Sequence, residues 1–275
     1  MPRDLLPTVQ AALAGRFAVE RELGHGATAV VYLGRAADGT AVALKVLRAE
    51  LMASMAAARF LREIKLAGQL AHPGLARVVD AGQAGWVLYC ATEFVPGRSL
   101  RERLDEDGPM SFAALRALAA GVLAALQHAH EHGVVHRDVK PENVILSSSG
   151  PVLLDFGIAR ALDAAAEDAV TGTGIAVGTM DYMSPEQVRG DRVPDPRSDV
   201  YAVGAVLFEC ATGRTPFHPA TDVALLRHHL SSIPPDLRTL RPGTPDGMAE
   251  AIARALAKRP EDRWPSAAEF ARALG

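Results

Sequence analysis

The pattern of hydrophobic and polar residues predicts strands in the first third of the chain. Five short runs, alternating or rich in β-branched residues, are separated by glycine-containing turns. They cover residues 17–23, 29–35, 40–47, 76–81 and 86–94. The sequence Ala-Asp-Gly-Thr at 37–40 is typical of a hairpin. We therefore expect the first three strands to form an antiparallel meander.

One helix is predicted among these strands, over residues 54–70, and His72-Pro73-Gly74 would end it. Beyond these strands the pattern becomes helical. We therefore expect an α+β protein whose small antiparallel β lobe, residues 1–97, holds a five-stranded sheet and one helix. A larger, mainly helical lobe takes residues 98–275. The cleft between the lobes, hinged near residues 93–98, is the expected binding site.

Three helices of the second lobe carry clear boundary signals. Ser111 is the expected N-cap of a long helix that ends before Gly133. A helix over 199–212 is apolar almost all round, so it should be buried. A capping box from Ser266 to Glu269 begins the last helix.

Composition and charge exclude several classes of protein. The 275 residues are 49% apolar with a net charge of −3, so there is no overall cationic field for nucleic acid or an anionic membrane. Cys90 and Cys210 have neither disulfide nor zinc-ligand spacing, which favours a reducing compartment. The longest apolar stretch, 118–126, is half what a bilayer requires. We expect a cytoplasmic protein with no membrane segment.

The first lobe holds a glycine-rich segment, 23–31, between two predicted strands. Missing Cβ atoms at Gly24 and Gly26 would let backbone N–H groups approach phosphate oxygens. The alternative is a plain hairpin turn that needs glycine only for positive φ. A dinucleotide-binding fold is excluded, because its glycine fingerprint must open a helix.

Only four of the 29 basic residues are lysines, at positions 45, 65, 140 and 258. Lys45 lies on an apolar strand, so its ammonium should face a cleft or have a buried partner. Glu63 on the following helix is the candidate partner. That helix also carries other charged residues, and spacing alone does not separate an ion pair from a solvated face.

The most specific signal is His136-Arg137-Asp138-Val139-Lys140-Pro141-Glu142-Asn143, followed by Asp155-Phe156-Gly157. Asp138 could accept the proton of an attacking hydroxyl, and Lys140 could neutralise a moving phosphoryl group. Asn143 and Asp155 offer the hard oxygen ligands that Mg²⁺ prefers. Any one of these residues could serve only in a turn. Their fixed spacing together favours the chemical interpretation.

These motifs resemble those of eukaryotic-like, Hanks-type bacterial Ser/Thr protein kinases, from about residue 15 to the end of the chain. The resemblance implies the two-lobed protein-kinase fold, with ATP and Mg²⁺ (Mn²⁺ as an alternative) as cofactors. Asp138 would orient and deprotonate the substrate hydroxyl, and Lys140 would steady the γ-phosphate. Asn143 and Asp155 would hold two metal ions. Lys45 would bind the α- and β-phosphates and pair with Glu63.

The same resemblance assigns further residues around the nucleotide and in the second lobe. The nucleotide would be contacted by Leu23, Gly24, Gly26, Val31, Ala43 and by the backbone of Glu93 and Val95. Glu186 of Ser184-Pro185-Glu186 would pair with Arg263, and Asp199 would brace the His-Arg-Asp backbone. The chain departs from the family pattern at two positions: Ala29 stands where the family has a third glycine, and Ser184 stands where it has an alanine. Neither departure removes a charge or a metal ligand.

A regulatory switch is also implied. Arg137 beside Asp138 calls for an anion, and a phosphate on Thr171 or Thr173 would supply one. Unmodified threonines in a small-residue loop are the alternative. Phosphorylation of one copy by another would require two molecules to meet, so a homodimer is an expected partner.

The expected function is phosphoryl transfer from MgATP to Ser or Thr of protein substrates. Lys140 argues against a tyrosine kinase by family analogy. A non-catalytic kinase-fold scaffold is the first alternative and requires a broken site. A small-molecule kinase is disfavoured by the segment 155–186, which resembles a platform for protein substrates.

Overall fold

The computed structural model describes residues 5–26, 29–47, 61–62, 64–155, 180–191 and 193–275. Glu63, Thr171 and Thr173 lie outside the described residues, as do Phe156 and Gly157. The described residues form two compact units. The first lies within 5–71 and 76–95, and the second within 72–75, 96–155 and 180–275.

The first unit contains a five-stranded antiparallel sheet. Its strands are β1 (Phe17–His25), β2 (Ala29–Ala36), β3 (Ala41–Leu47), β4 (Val78–Ala84) and β5 (Val87–Glu93), in the order β1-β2-β3-β5-β4. All five predicted strands are present, with ends shifted by up to three residues. In the β2–β3 hairpin the backbone N–H of Thr40 donates to Asp38 Oδ1 at 2.9 Å, and Gly39 has a φ of 86°. The positive φ explains the glycine at this turn.

Different elements pack on the two faces of this sheet. Helix α1 (Leu6–Leu13) places Val9 and Leu13, both fully buried, in a cluster with Leu44 of one face. Sequence analysis did not predict α1. The opposite face carries Cys90 in a cluster with Ile64. Ile64 belongs to the predicted helix 54–70, of which the described residues 61–62 and 64–67 are helical.

The second unit is mainly helical. Its helices are α2 (Leu100–Asp107), α3 (Phe112–Glu131), α4 (Pro185–Arg189), α5 (Arg197–Thr212), α6 (Asp222–Ser231), α7 (Leu237–Leu240), α8 (Asp246–Ala255) and α9 (Ala267–Leu274). A small antiparallel sheet has the order β6 (Arg98–Ser99), β7 (Val144–Ser147), β8 (Gly150–Leu153). Three-residue 3₁₀ turns lie at Pro141–Asn143, Met180–Tyr182 and Pro260–Asp262.

Helix α5 forms the core of this unit, and every residue from Ser198 to Ala211 is buried. This agrees with its largely apolar sequence. The helix begins two residues before the predicted start, with Pro196 as an N-cap residue that has no side-chain cap. The Asp195 carboxylate, one residue earlier, accepts from the Arg197 N–H at 2.9 Å. Helices α3, α8 and α9 pack against it.

The predicted helix caps at both ends of the second unit are present. Ser111 Oγ accepts from the Ala114 N–H at 3.2 Å at the start of α3. At the start of α9, Ser266 Oγ accepts from the Glu269 N–H at 3.2 Å, but the reciprocal bond from the Ser266 N–H to the Glu269 side chain does not form, so the predicted capping box is only half present. By length and composition alone, α3 is long and apolar enough to cross a membrane. Eight of its residues are buried within the unit, and a core helix passes the same test.

Helix α6 is anchored by His229, a fully buried imidazole whose Nδ1 lies 2.9 Å from the Tyr201 hydroxyl of α5. Burial, together with the charges of Lys258 and His228, lowers the pKa of His229 to about 4. The unfolded chain binds a proton near pH 6.5, where the folded protein does not. Folding stability should therefore fall as the pH drops from 6.5 towards 4.

Protonation of His229 alone should lower the free energy of unfolding by roughly 3 kcal/mol over that interval. Urea unfolding at pH 7 and pH 4.5 measures the free energy of unfolding, with His229→Gln as the matched variant. We expect the free energy of unfolding of the variant to differ much less between the two pH values than that of the wild type. An equal difference in both proteins would show that other groups cause the acid sensitivity.

Candidate functional site

The β7–β8 hairpin brings the two candidate metal ligands together. Val144 pairs with Leu153, so Asn143 directly before β7 lies beside Leu154 directly after β8. The Leu154 N–H donates to the Asn143 carbonyl at 2.9 Å. Asp155 is the next residue. The strand register thus places Asn143 and Asp155 at the same end of the hairpin.

The Asp138 carboxylate has one oxygen held and one open. Lys140 Nζ lies 2.7 Å from Asp138 Oδ2, and Asn143 Nδ2 donates to the same oxygen at 3.1 Å. Among the described residues, none donates a hydrogen bond to Oδ1. The Asp138 side chain is 21% exposed. One carboxylate oxygen is therefore fixed in place while the other can accept a proton from a bound hydroxyl.

The orientation of the Asn143 amide follows from its partners. Its nitrogen donates to the Asp138 carbonyl at 2.8 Å as well as to the carboxylate. Both partners are acceptors only, so they must face the NH₂ group rather than the amide oxygen. Asn143 is buried. Its oxygen is thereby left out of these bonds and suits a hard cation.

Asp199 braces the backbone that leads to Asp138. Its carboxylate accepts from the His136 N–H at 2.9 Å and the Arg137 N–H at 2.8 Å. His130 Nε2 lies 2.7 Å from Oδ2. Burial by itself raises the pKa of Asp199, but His130 and these contacts overcome it, and the pKa lies below its ordinary value. Sequence analysis missed His130, whose helical position gives no sign of this contact.

His136 connects Asp138 to the strand that precedes Asp155. Its Nδ1 accepts from the Asp138 N–H at 3.2 Å, and its Nε2 lies 2.7 Å from the Leu154 carbonyl oxygen. A backbone N–H only donates and a carbonyl only accepts, so Nε2 must carry the proton. This single tautomer fixes the spacing between the two chain segments.

Two residues of the site have strained backbones. Arg137 and Asp155, with φ of 68° and 63°, are the non-glycine residues at positive φ in the described chain. Such conformations cost about 1–3 kcal/mol each and cluster at functional sites. Asp199 binds the Arg137 N–H, and Gln187 Nε2 donates to the Arg137 carbonyl at 2.7 Å. Both peptide groups that flank the strained residue are therefore held.

The sequence Ser184-Pro185-Glu186-Gln187 forms a capping box at the start of α4. Gln187 Oε1 accepts from the Ser184 N–H at 3.0 Å, and Ser184 Oγ accepts from the Gln187 N–H at 3.4 Å. This explains why serine replaces alanine in the motif. The pattern Ser-x-x-Gln is a recognised capping signal, so the sequence could have revealed Gln187.

Glu186 and Arg263 form a buried bidentate ion pair, with both N–O distances 2.7 Å. Ser198 Oγ also donates to Glu186 at 2.6 Å. Burial opposes ionisation of Glu186, but Arg263 and Ser198 outweigh it and lower the pKa to about 2. This pair joins the start of α4 to the segment before α9.

Arg101 of α2 joins a second polar network. It donates to Glu209 at 2.6 Å, to the Tyr182 hydroxyl at 2.9 Å and to Glu142 at 3.3 Å. Tyr182 also donates to Glu209 at 2.6 Å. Glu142 lies next to Asn143, so α2 and α5 support the candidate site through Arg101. Sequence analysis missed this network because its members are distant along the chain.

In the first unit, Gly24 and Gly26 are not needed for positive φ, since neither is in that region. Among the described residues, no atom lies within 4 Å of a Cβ added to Gly24. A Cβ added to Gly26 would contact only the Ala29 carbonyl oxygen, at 3.9 Å, within this part of the chain. The Gly26 N–H donates to the same carbonyl at 2.8 Å. Positive φ therefore does not account for these two glycines.

The other candidate residues of this unit share one face or edge of its sheet. Lys45 pairs with Val31 of β2 and lies two residues from Ala43 on the same side of β3. Leu23, partly exposed, ends the regular part of β1. At the end of β5, the Glu93 N–H donates to the Arg77 carbonyl at 2.9 Å, and Val95 follows two residues later.

Comparison with known proteins agrees with this geometry. A family model described as the protein kinase domain matches residues 17–272. The serine/threonine-protein kinase PknB of Mycobacterium tuberculosis is 39% identical over 272 residues, covering 96% of this chain and 43% of PknB. A probable serine/threonine-protein kinase of Corynebacterium efficiens is 40% identical over 272 residues, covering 94% of this chain and 41% of its own.

A solved structure supports the fold. The kinase domain of Mycobacterium tuberculosis PknI has a TM-score of 0.74 and 31% identity, and the match covers 94% of each chain. The chain belongs to the protein kinase domain family, in its bacterial serine/threonine branch. It spans less than half the length of these curated relatives. The predicted α+β kinase fold is confirmed.

Proposed function

We propose that this protein is a Ser/Thr protein kinase that transfers the γ-phosphoryl group of MgATP to hydroxyl groups of proteins. The arrangement of Asp138 carries the proposal. One oxygen of its carboxylate is fixed by Lys140 and Asn143, and no residue in the described part of the chain donates to the other. This is the geometry of a group that orients an attacking hydroxyl and accepts its proton.

The roles of the charged residues follow from their positions. Asp138 orients the serine or threonine hydroxyl, and Lys140, 2.7 Å from it, neutralises negative charge on the phosphoryl group in transit. Lys140 supports serine and threonine rather than tyrosine as targets, by analogy with the family.

Asn143 and Asp155 would hold Mg²⁺. The Asn143 amide nitrogen is committed to Asp138, so its oxygen is the atom offered to the metal, and Asp155 adds a carboxylate at the same end of the hairpin. This donor set fits a hard, oxygen-seeking cation. When bound, the metal neutralises phosphate charge and orients the triphosphate.

The first unit would supply the nucleotide contacts. Gly24 and Gly26 carry no side chain, so phosphates could approach the backbone of this segment, although the Gly26 N–H itself donates to the Ala29 carbonyl. Lys45 would bind the α- and β-phosphates and Glu63 would pair with it. Leu23, Val31 and Ala43 are the proposed apolar contacts. The Glu93 carbonyl and the Val95 backbone would hydrogen bond to adenine.

The direct test is incubation of the purified chain with MgATP and a generic basic protein, followed by phosphosite mapping with mass spectrometry. We expect phosphoserine or phosphothreonine on both proteins, and Thr171 and Thr173 among the sites on the chain itself. Absence of phosphate from both would contradict the proposal. Phosphorylation only of the added protein would support kinase activity and exclude self-modification.

Thr171 and Thr173 are the proposed switch. A phosphate there would provide the anion for Arg137, whose backbone is already fixed by Asp199 and Gln187. We expect Thr171→Ala with Thr173→Ala to lower kcat at least about tenfold, because one charge-assisted contact to a catalytic segment is lost. Since self-modification requires two copies to meet, the rate of loop phosphorylation should rise with protein concentration. An unchanged kcat in the double variant would exclude this switch.

A further inference from the structure

Lys258, which lies just after α8, has an environment that poorly suits an ammonium ion. The residue is only partly exposed. Its Nζ lies 4.6 Å from the centre of the Phe217 ring and 5.6 Å from that of Tyr201. It donates to the His228 carbonyl at 3.0 Å, and the Tyr201 hydroxyl is at 3.5 Å. An ammonium has three donors, and the described residues provide one well-placed acceptor.

The described residues around Lys258 include no carboxylate partner, and the partial negative charge that faces it is the His228 carbonyl at the end of α6. Tyr201 faces it from α5, and His228 and His229 face it from α6. Arg263 lies nearby, and its guanidinium is already committed to Glu186. No ion pair joins Lys258 to a carboxylate in the part of the chain that is described. The two rings attract a cation, which offsets only part of the cost of burying the ammonium.

These surroundings favour the neutral amine. Burial, and then the positive charge of Arg263, lower the pKa of Lys258 to about 8. At pH 8 about half of such side chains are unprotonated, against well under 1% for an ordinary lysine. A neutral lysine amine is a nucleophile.

We propose that Lys258 is an acylation site that accepts an acyl group from an activated carboxylic acid, either a thioester or an acyl phosphate. The amine lone pair attacks the carbonyl carbon and forms a C–N bond. The bond from that carbon to sulfur or to the phosphate oxygen breaks, and the thiolate or phosphate leaves. The nitrogen gives up one proton to solvent, and an amide remains.

Acylation would loosen the attachment of α6. His228 lies in the last turn of this helix, and its carbonyl, at the negative end of the helix dipole, faces the Lys258 amine. The amide keeps one N–H for this carbonyl but loses the charge that the dipole and the Phe217 ring stabilise. The added acyl group also occupies a packed site.

The first test measures acetylation of the whole chain by acetyl phosphate and, in a parallel arm, by acetyl-CoA, from pH 7 to pH 9. With four lysines in the chain, mass spectrometry can follow each one. Exposed Lys65 is the internal reference. At pH 8 we expect Lys258 to react about 5–10 times faster than Lys65 with at least one donor, and its rate to level off above pH 8.5.

The donor that shows the faster reaction identifies the source of the acyl group. A Lys258 rate equal to or below that of Lys65 with both donors at every pH would overturn the proposal. The second test compares hydrogen exchange of the α6 amides in Lys258→Gln, Lys258→Arg and Lys65→Gln. We expect several-fold faster exchange in Lys258→Gln alone. Exchange equal to wild type in that variant would overturn the proposed effect on α6.

Discussion

Replacing Asp138 with asparagine should lower kcat by about 10²–10⁴-fold, the range by which a positioned general base accelerates proton transfer. The amide can still accept hydrogen bonds from Lys140 and Asn143, so the local geometry should survive. It cannot accept a proton from the substrate hydroxyl. Affinity for ATP should change by less than about threefold, because the lost interaction acts on the hydroxyl in the transition state.

Steady-state kinetics with a basic protein substrate, and calorimetric titration with ATP, measure the two quantities. Asp246→Asn is the matched control, since it makes the same chemical change at an exposed carboxylate of α8. A kcat for Asp138→Asn within a few-fold of wild type would remove Asp138 from its proposed role. An equal loss of kcat and of ATP affinity would indicate local unfolding instead.

Replacing Arg263 with methionine should destabilise the protein by about 3–5 kcal/mol, because Glu186 would keep a buried charge without its partner. The low pKa of Glu186, about 2, reflects this dependence. Contributions from the pair to wild-type stability should be lost as the pH falls from 4.5 towards 2, where the carboxylate is protonated. Denaturant unfolding at pH 7 gives the free energy of unfolding.

Two controls separate the buried charge from lost packing. The double variant Glu186→Met with Arg263→Met should regain part of the stability, because no buried charge remains. Recovery should be incomplete, since Arg263 also donates to the Ala257 and Arg197 carbonyls. Arg259→Met breaks the exposed pair with Glu261 and should cause no measurable change. A double variant no more stable than Arg263→Met would show that packing dominates.

Local signals in the sequence predicted the elements whose formation depends on local physics. The β2–β3 hairpin, the Ser111 cap and the all-buried α5 are each specified by a few neighbouring residues, and each is present. Helix α1 was missed because its eight residues are helical only with tertiary support from the sheet.

In the candidate site too, the sequence reveals contacts between neighbouring residues and does not reveal contacts between distant ones. Asp138, Lys140 and Asn143 lie within six residues of one another, so their spacing in the sequence reports their proximity in space. The contacts that hold this segment come from far along the chain. His130, Gln187 and Arg101 reach it through helix packing, which the spacing of residues in the sequence does not encode.

The structure of the protein with Mg²⁺ and a non-hydrolysable ATP analogue is the decisive measurement for phosphoryl transfer at Asp138. We expect metal ions bound by the Asn143 amide oxygen and the Asp155 carboxylate. We also expect Lys45 on the α- and β-phosphates and the terminal phosphate beside Lys140 and Asp138. A triphosphate bound away from these side chains, or metal ions held by other residues, would contradict this expectation.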